Sequence, residues 1–214
     1  MRQISLIVYD FDGTLVDTLF DIADSVNLAL ADLSLPKLPR ETIRKYVGKG
    51  VERLMSQTLE GSSFADIPQA VALFKKHYSE NLVHHTDFYP HGREILEHFK
   101  NKKQAICSNK PEDFVRRILG SLNRLHSFDA IIGGDSVNSK KPDPEGLISI
   151  LEKLNVSADE AVLIGDSPVD VETGKRAGVY TCVANFGLGF PEEIAIANPD
   201  CSIDCLSKLK EMFC

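Results

Sequence analysis

The sequence lacks several features that would settle its class at once. No apolar run approaches the roughly 18 residues a membrane helix needs. The first residues carry no charged-then-apolar leader pattern, so the expected compartment is the cytoplasm. Positive charge is in deficit: 24 Lys and Arg face 31 Asp and Glu, a net charge of -7. That argues against a nucleic-acid binder, which normally presents a basic face. An anionic substrate stays open, because a bound cation and a few local bases can reverse the field inside a pocket. The five cysteines (Cys107, Cys182, Cys201, Cys205, Cys214) form no Cys-x-x-Cys pair. Their odd count and wide spacing suit reduced thiols, not a zinc site or a disulfide framework. The six histidines are scattered, and the adjacent His84-His85 cannot share one metal on a helix or strand. Repeats and low-complexity tracts are also missing.

What is present reads as one sizeable domain carrying a smaller insert. The 214 residues suffice for that, and 43% apolar with 26% charged residues is ordinary for a globular chain. Continuous apolar runs at Ile4 to Tyr9, Gln104 to Cys107, Ala130 to Ile132, Ala161 to Ile164 and Tyr180 to Ala184 predict buried parallel strands. Cys201 to Ile203 fits a short edge strand. Between them, Gly92 to Lys100, Pro111 to Leu122, Glu145 to Leu154 and Val169 to Ala177 carry helical spacing. The alternation predicts an α/β fold with a doubly wound, mostly parallel, Rossmann-like sheet. Residues 18–86 break the pattern. Thr18 to Leu33, Glu41 to Val47, Val51 to Leu59 and Asp66 to Val83 predict helices with no strand among them. The expected division is a core of 1–17 and 87–214 with a helical insert of 18–86.

Chemistry concentrates where strands are expected to end. Asp10-Phe11-Asp12-Gly13-Thr14-Leu15-Val16-Asp17-Thr18 follows the first strand. A hard cation such as Mg²⁺ takes oxygen ligands, often one or two carboxylates plus substrate phosphate. An aspartate beside it can attack phosphorus, and a second carboxylate can serve as acid and base. A plain Asp-Gly turn is the competing reading. A calcium loop is not, because its sixth and twelfth positions, Gly and Glu, are Leu15 and Asp21 here. Ser108-Asn109-Lys110 follows another strand and precedes a helix, so Ser108 and Asn109 are candidates to seat a phosphate. In Lys140-Lys141-Pro142-Asp143-Pro144, the residue that abuts the proline, Lys141, is the better candidate to neutralise phosphoryl charge. Gly165-Asp166-Ser167-Pro168-Val169-Asp170 offers Asp166 as a metal ligand. Asp170 can be a ligand, a support behind the ligands, or a first-turn aspartate favoured by the helix dipole. All four motifs fall at carboxyl ends of strands, where open α/β sheets bind ligands.

Taken together, these motifs resemble the haloacid dehalogenase superfamily of phosphotransferases over the whole chain, and the helical insert looks like its small α-helical cap. Asp10 to Thr18, Gly133-Gly134-Asp135-Ser136 before Lys-Pro-Asp-Pro, and Val47-Gly48-Lys49-Gly50-Val51 look most like phosphoglycolate phosphatases. The resemblance implies Asp10 as nucleophile and metal ligand. It implies Asp12 as acid/base with its carbonyl on the metal, and Asp166 completing a Mg²⁺ site. Ser108 and Lys141 would hold the phosphoryl group. Gly174 stands where relatives more often have alanine, a departure that need not touch catalysis. The implied activity is Mg²⁺-dependent hydrolysis of a small phosphorylated metabolite, 2-phosphoglycolate first. A phosphosugar mutase or a pyrophosphatase on the same core are the alternatives. A non-catalytic relative is disfavoured by the intact acid set, and a true dehalogenase by Asp12. In the insert, Lys49 between two glycines is a candidate contact for a substrate carboxylate, against the alternative of an exposed turn lysine.

Overall fold

The computed structural model describes all 214 residues. In chain order the elements are β1 (Leu6–Tyr9), β2 (Val16–Asp17), α1 (Leu19–Asp32), α2 (Arg40–Arg44), α3 (Val51–Thr58), α4 (Ile67–Glu80) and β3 (Asp87–Phe88). They continue with α5 (Gly92–His98), β4 (Lys103–Cys107), α6 (Glu112–Ser121), β5 (Ala130–Ile132), α7 (Glu145–Leu154), β6 (Ala161–Gly165), α8 (Pro168–Ala177), β7 (Tyr180–Ala184), α9 (Pro191–Ala197), β8 (Cys201–Ile203) and α10 (Leu209–Met212).

Six strands form one sheet in the order β5-β4-β1-β6-β7-β8, and every pairing is parallel. β1 and β6 are buried along their whole length, as continuous apolar runs flanked by helices must be. Register fixes the site. Tyr9 pairs with Ile106 on one side and Ile164 on the other. Asp10, Ser108 and Asp166 each lie one or two residues beyond, so all three leave the sheet at the same edge.

The expected helices form, several with shorter ends. α2 stops at Arg44 and α4 at Glu80. The expected strands also form, together with a two-stranded antiparallel ribbon that periodicity did not reveal. Val16 pairs with Phe88 and Asp17 with Asp87. This ribbon joins the chain where it departs into α1 and where it returns from α4. None of the helices is long and apolar enough to cross a membrane.

The helical insert shares a hydrophobic core with the sheet. Ile22, Leu54, Phe74 and Tyr78 from the insert belong to the same buried cluster as Tyr9, Ile106 and Ile164. Tyr78 stacks on Phe74 and meets Phe114 of α6 edge-on, with ring centroids 5.3 and 5.2 Å apart. The return linker is pinned by a buried carboxylate. Asp21 in α1 is 1% exposed and accepts backbone N–H bonds from His85 (3.0 Å to each oxygen) and Thr86 (2.9 Å).

Asp21→Ala strands two backbone donors next to a buried void, so it should destabilise the fold by about 3 kcal/mol. Urea denaturation checks this, and a loss under about 0.5 kcal/mol would show that the linker is not held through Asp21.

Candidate active site

The strand ends place an acidic cluster around one ammonium. Asp10, Asp166 and Asp170 are all buried, and one oxygen from each lies within 4.8 Å of the others. Lys141 Nζ sits among them, 3.0 Å from Asp10 Oδ1 and 2.6 Å from Asp170 Oδ1. Burial alone would lower the pKa of Lys141, but Asp10 and Asp170 outweigh it and hold the ammonium above its usual range. Lys140, its neighbour, points elsewhere and pairs with Glu52 of α3 at 2.7 Å.

The three carboxylates are held differently. Both oxygens of Asp170 are committed. Oδ1 takes the Lys141 bond, while Oδ2 accepts from Ser167 Oγ (2.7 Å), Ser167 N (3.1 Å) and Asp166 N (3.2 Å). This geometry makes Asp170 the residue that aims Lys141. Asp166 accepts from Thr14 Oγ1 at 3.2 Å through Oδ1 and from the Leu188 and Gly189 amides at 2.6 and 3.3 Å through Oδ2. Asp10 Oδ1, by contrast, is buried with the Lys141 ammonium as its polar contact.

Electrostatics follow from this crowding. Burial raises the pKa of Asp10 to about 6, against the opposing pull of Lys141 and with help from Asp170. Burial and the Asp170 charge push Asp166 well above the usual carboxylate range. Three buried carboxylates therefore share a single ammonium. An all-oxygen donor set with more carboxylates than ammonium groups fits a hard divalent cation. The backbone is shaped to the same end. Gly13 has φ +85°, and a Cβ there would lie 2.3 Å from Asp166 Oδ2.

Asp12 stands on the other side of the site. Lys110 Nζ contacts both its oxygens, at 3.0 and 3.2 Å, and Thr18 Oγ1 donates to Oδ1 at 2.6 Å. Burial pulls the Lys110 pKa down, opposed by Asp12, and its ammonium lies 4.5 Å from the centre of the Tyr78 ring. Lys110 belongs to the Ser-Asn-Lys motif, yet sequence reasoning gave it no role. Asn109 is spent on the backbone. Its Oδ1 accepts from Lys141 N (2.9 Å) and its Nδ2 donates to Lys141 O and Gly48 O (both 3.0 Å). It thus ties the Lys141 loop to the insert. Ser108 is buried beside Asp10 and Asp12.

Two cavities meet at Asp10, Asp12, Val47 and Gly48. One is a chamber of about 40 Å³ walled by Ile22, Leu54, Phe74, Tyr78, Lys110 and Phe114. The other is a polar cleft of about 370 Å³ that includes Arg44, Lys45, Lys49, Gln57 and Asp166. Lys49 is exposed on the insert side of that cleft. Arg44 crosses it, donating to the carbonyls of Gly187 (3.1 Å) and Leu188 (3.3 Å) in the loop that holds Asp166. A buried anionic cluster, a fixed ammonium and a second carboxylate across a small cavity can bind a phosphoryl group and exchange a proton with its ester oxygen.

Known proteins resemble this chain in sequence and fold. Residues 7–184 match the family described as haloacid dehalogenase-like hydrolase. A phosphoglycolate phosphatase of Aquifex aeolicus is 39% identical over 184 residues, covering 85% of each chain. One from Psychrobacter arcticus is 35% identical over 214 residues, covering 95% of this chain and 93% of its own. The crystal structure of a predicted phosphoglycolate phosphatase from Haemophilus somnus superposes with a TM-score of 0.92 at 28% identity, covering 99% of both chains. With its acid cluster and ammonium at the strand ends, this chain belongs to the haloacid dehalogenase-like hydrolases, as a phosphatase.

Proposed function

We propose that this phosphatase hydrolyses a small phosphomonoester, 2-phosphoglycolate first, with Mg²⁺, through an aspartyl-phosphate on Asp10. The observation that carries the reading is the buried Asp10 carboxylate, held 3.0 Å from Lys141 in a cluster with Asp166 and Asp170. The curated relatives are phosphoglycolate phosphatases, which supports the substrate. The helices of residues 18–86 serve as a cap over the site.

Asp10 and Asp166, with the Asp12 carbonyl, would hold the cation. When bound it neutralises the acidic cluster and polarises the phosphoryl group. Asp10 attacks phosphorus as the ester bond breaks, and Asp12 gives its proton to the departing oxygen. Asp12 then takes a proton from water, whose oxygen attacks phosphorus and frees Asp10 and inorganic phosphate. Lys141 offsets the charge on Asp10 and on the phosphoryl oxygens. Ser108 donates its hydroxyl to the phosphoryl group. Asn109 contributes to substrate binding by fixing the Lys141 main chain. Lys49, with Arg44 and Lys45, forms a basic approach that draws the anionic substrate into the cleft.

Asp10→Asn should lower kcat by more than a thousandfold while far-UV circular dichroism stays native, the loss expected on removing a nucleophile. Turnover above about a thousandth of wild type would exclude covalent catalysis at Asp10.

Proton and cation should compete for the cluster. A carboxyl whose folded pKa is raised favours folding while protonated and loses that advantage as pH rises through the folded value, about 6 for Asp10. Mg²⁺ should therefore raise Tm more at pH 7.5 than at pH 5, and excess chelator should abolish turnover. Ca²⁺, which takes more ligands at longer distances, should inhibit. Full activity in chelator, or equal Tm shifts at both pH values, would remove the cation from the cluster.

Lys49→Ala should raise KM for 2-phosphoglycolate by about two- to fivefold, with the difference fading at high salt, as for a solvent-exposed charge. A KM unchanged at low salt would take Lys49 out of substrate capture.

A further inference from the structure

One residue lining the apolar chamber under the insert carries a polar atom that the fold itself leaves unpaired. Tyr78 of α4 is 1% exposed, and its hydroxyl has no hydrogen-bond partner. Buried hydroxyls are normally paired, and an unpaired one weakens the fold. The ring itself is fully engaged, between Phe74 and Phe114. A phenylalanine would keep those contacts and remove the unmet hydroxyl. Packing therefore accounts for the ring and not for the oxygen.

Its surroundings indicate what the oxygen could meet. Tyr78 and Lys110 line the same chamber, whose remaining wall is largely Ile22, Val47, Val51, Leu54, Phe74 and Phe114. Lys110 Nζ has three donor protons, and its contacts to Asp12 leave it able to serve another acceptor. The chamber opens on Asp10 and Asp12, where the phosphoryl chemistry is placed. Its free space is small, about 40 Å³, and a compact anionic group such as a carboxylate suits it. A neutral alkyl group of the same size would leave the hydroxyl unmet.

We propose that Tyr78 determines specificity, its hydroxyl donating with the Lys110 ammonium to the carboxylate of a two-carbon phosphoester bound in this chamber. This rests on the phosphatase reading above and adds to it the residue that chooses the substrate. Lys49 then acts at the entrance, and the selection is made inside. The unpaired hydroxyl is a stability cost in the free protein that the substrate removes on binding.

The test compares 2-phosphoglycolate with ethyl phosphate, which has a methyl group where the first has a carboxylate. In Tyr78→Phe, kcat/KM for 2-phosphoglycolate relative to ethyl phosphate should fall about tenfold or more, chiefly through KM, the size of a lost hydrogen bond to a charged group. The Tm of the variant, free of substrate, should equal or exceed that of wild type. Lys110→Met should lower the same ratio, in addition to any loss of kcat common to both substrates. A ratio within twofold of wild type in Tyr78→Phe, with Tm raised, would make the hydroxyl an unpaired core group and overturn the proposal. So would a wild-type enzyme that cleaves other phosphoesters but does not prefer 2-phosphoglycolate to ethyl phosphate. Absence of Mg²⁺-dependent phosphate release from every ester tried would instead defeat the underlying reading.

Discussion

The structure turns on a charge imbalance. Asp10, Asp166 and Asp170 are buried at the carboxyl edge of the sheet with Lys141 as the ammonium among them. Buried charges persist only when paired or when they coordinate a cation. Most of the nearby architecture answers that requirement. Asp170 aims Lys141, Asn109 clamps its main chain, and the Leu188 and Gly189 amides support Asp166. A separate pair, Lys110 and Asp12, keeps the second carboxylate apart from the cluster. The two carboxylates nearest the reaction thus have different neighbours. Asp10 faces other acids and shares Lys141 with them, and Asp12 has a lysine of its own and a threonine. Such divergence of environment is how two like groups acquire unlike tasks.

Much of the core was legible because its signals are local. β1 and β6 are continuous apolar runs buried on both faces, and each is followed at once by its aspartate. The lysine that abuts the proline is the one buried on Asp10, while Lys140 bonds to the insert. What was not legible depends on partners distant in sequence. The β2–β3 ribbon has two residues a side, too short for any period, and exists because the two ends of the insert meet. Asp170 was left with three readings. Its sequence neighbours explain the helix cap, but only Lys141, 29 residues away, reveals its role.

Lys110 and Tyr78 show a different limit. Lys110 sat inside a motif already noted, but a lysine after Ser-Asn reads as solvated until Asp12, 98 residues away, is seen against it. Phe74 and Tyr78 are spaced as any buried helical stripe would be. Sequence pattern cannot separate a tyrosine kept for its ring from one kept for its oxygen. Only a list of the atoms that each hydroxyl can reach makes that distinction.

The short loop at 187–189 has two clients. Its amides hold Asp166, and its carbonyls receive Arg44 from α2 of the insert. One stretch of main chain therefore couples the helices above to the carboxylate below, the one proposed to hold a cation. Under thermodynamic linkage, whatever the seated insert adds to ion affinity, the bound ion adds equally to the seating of the insert.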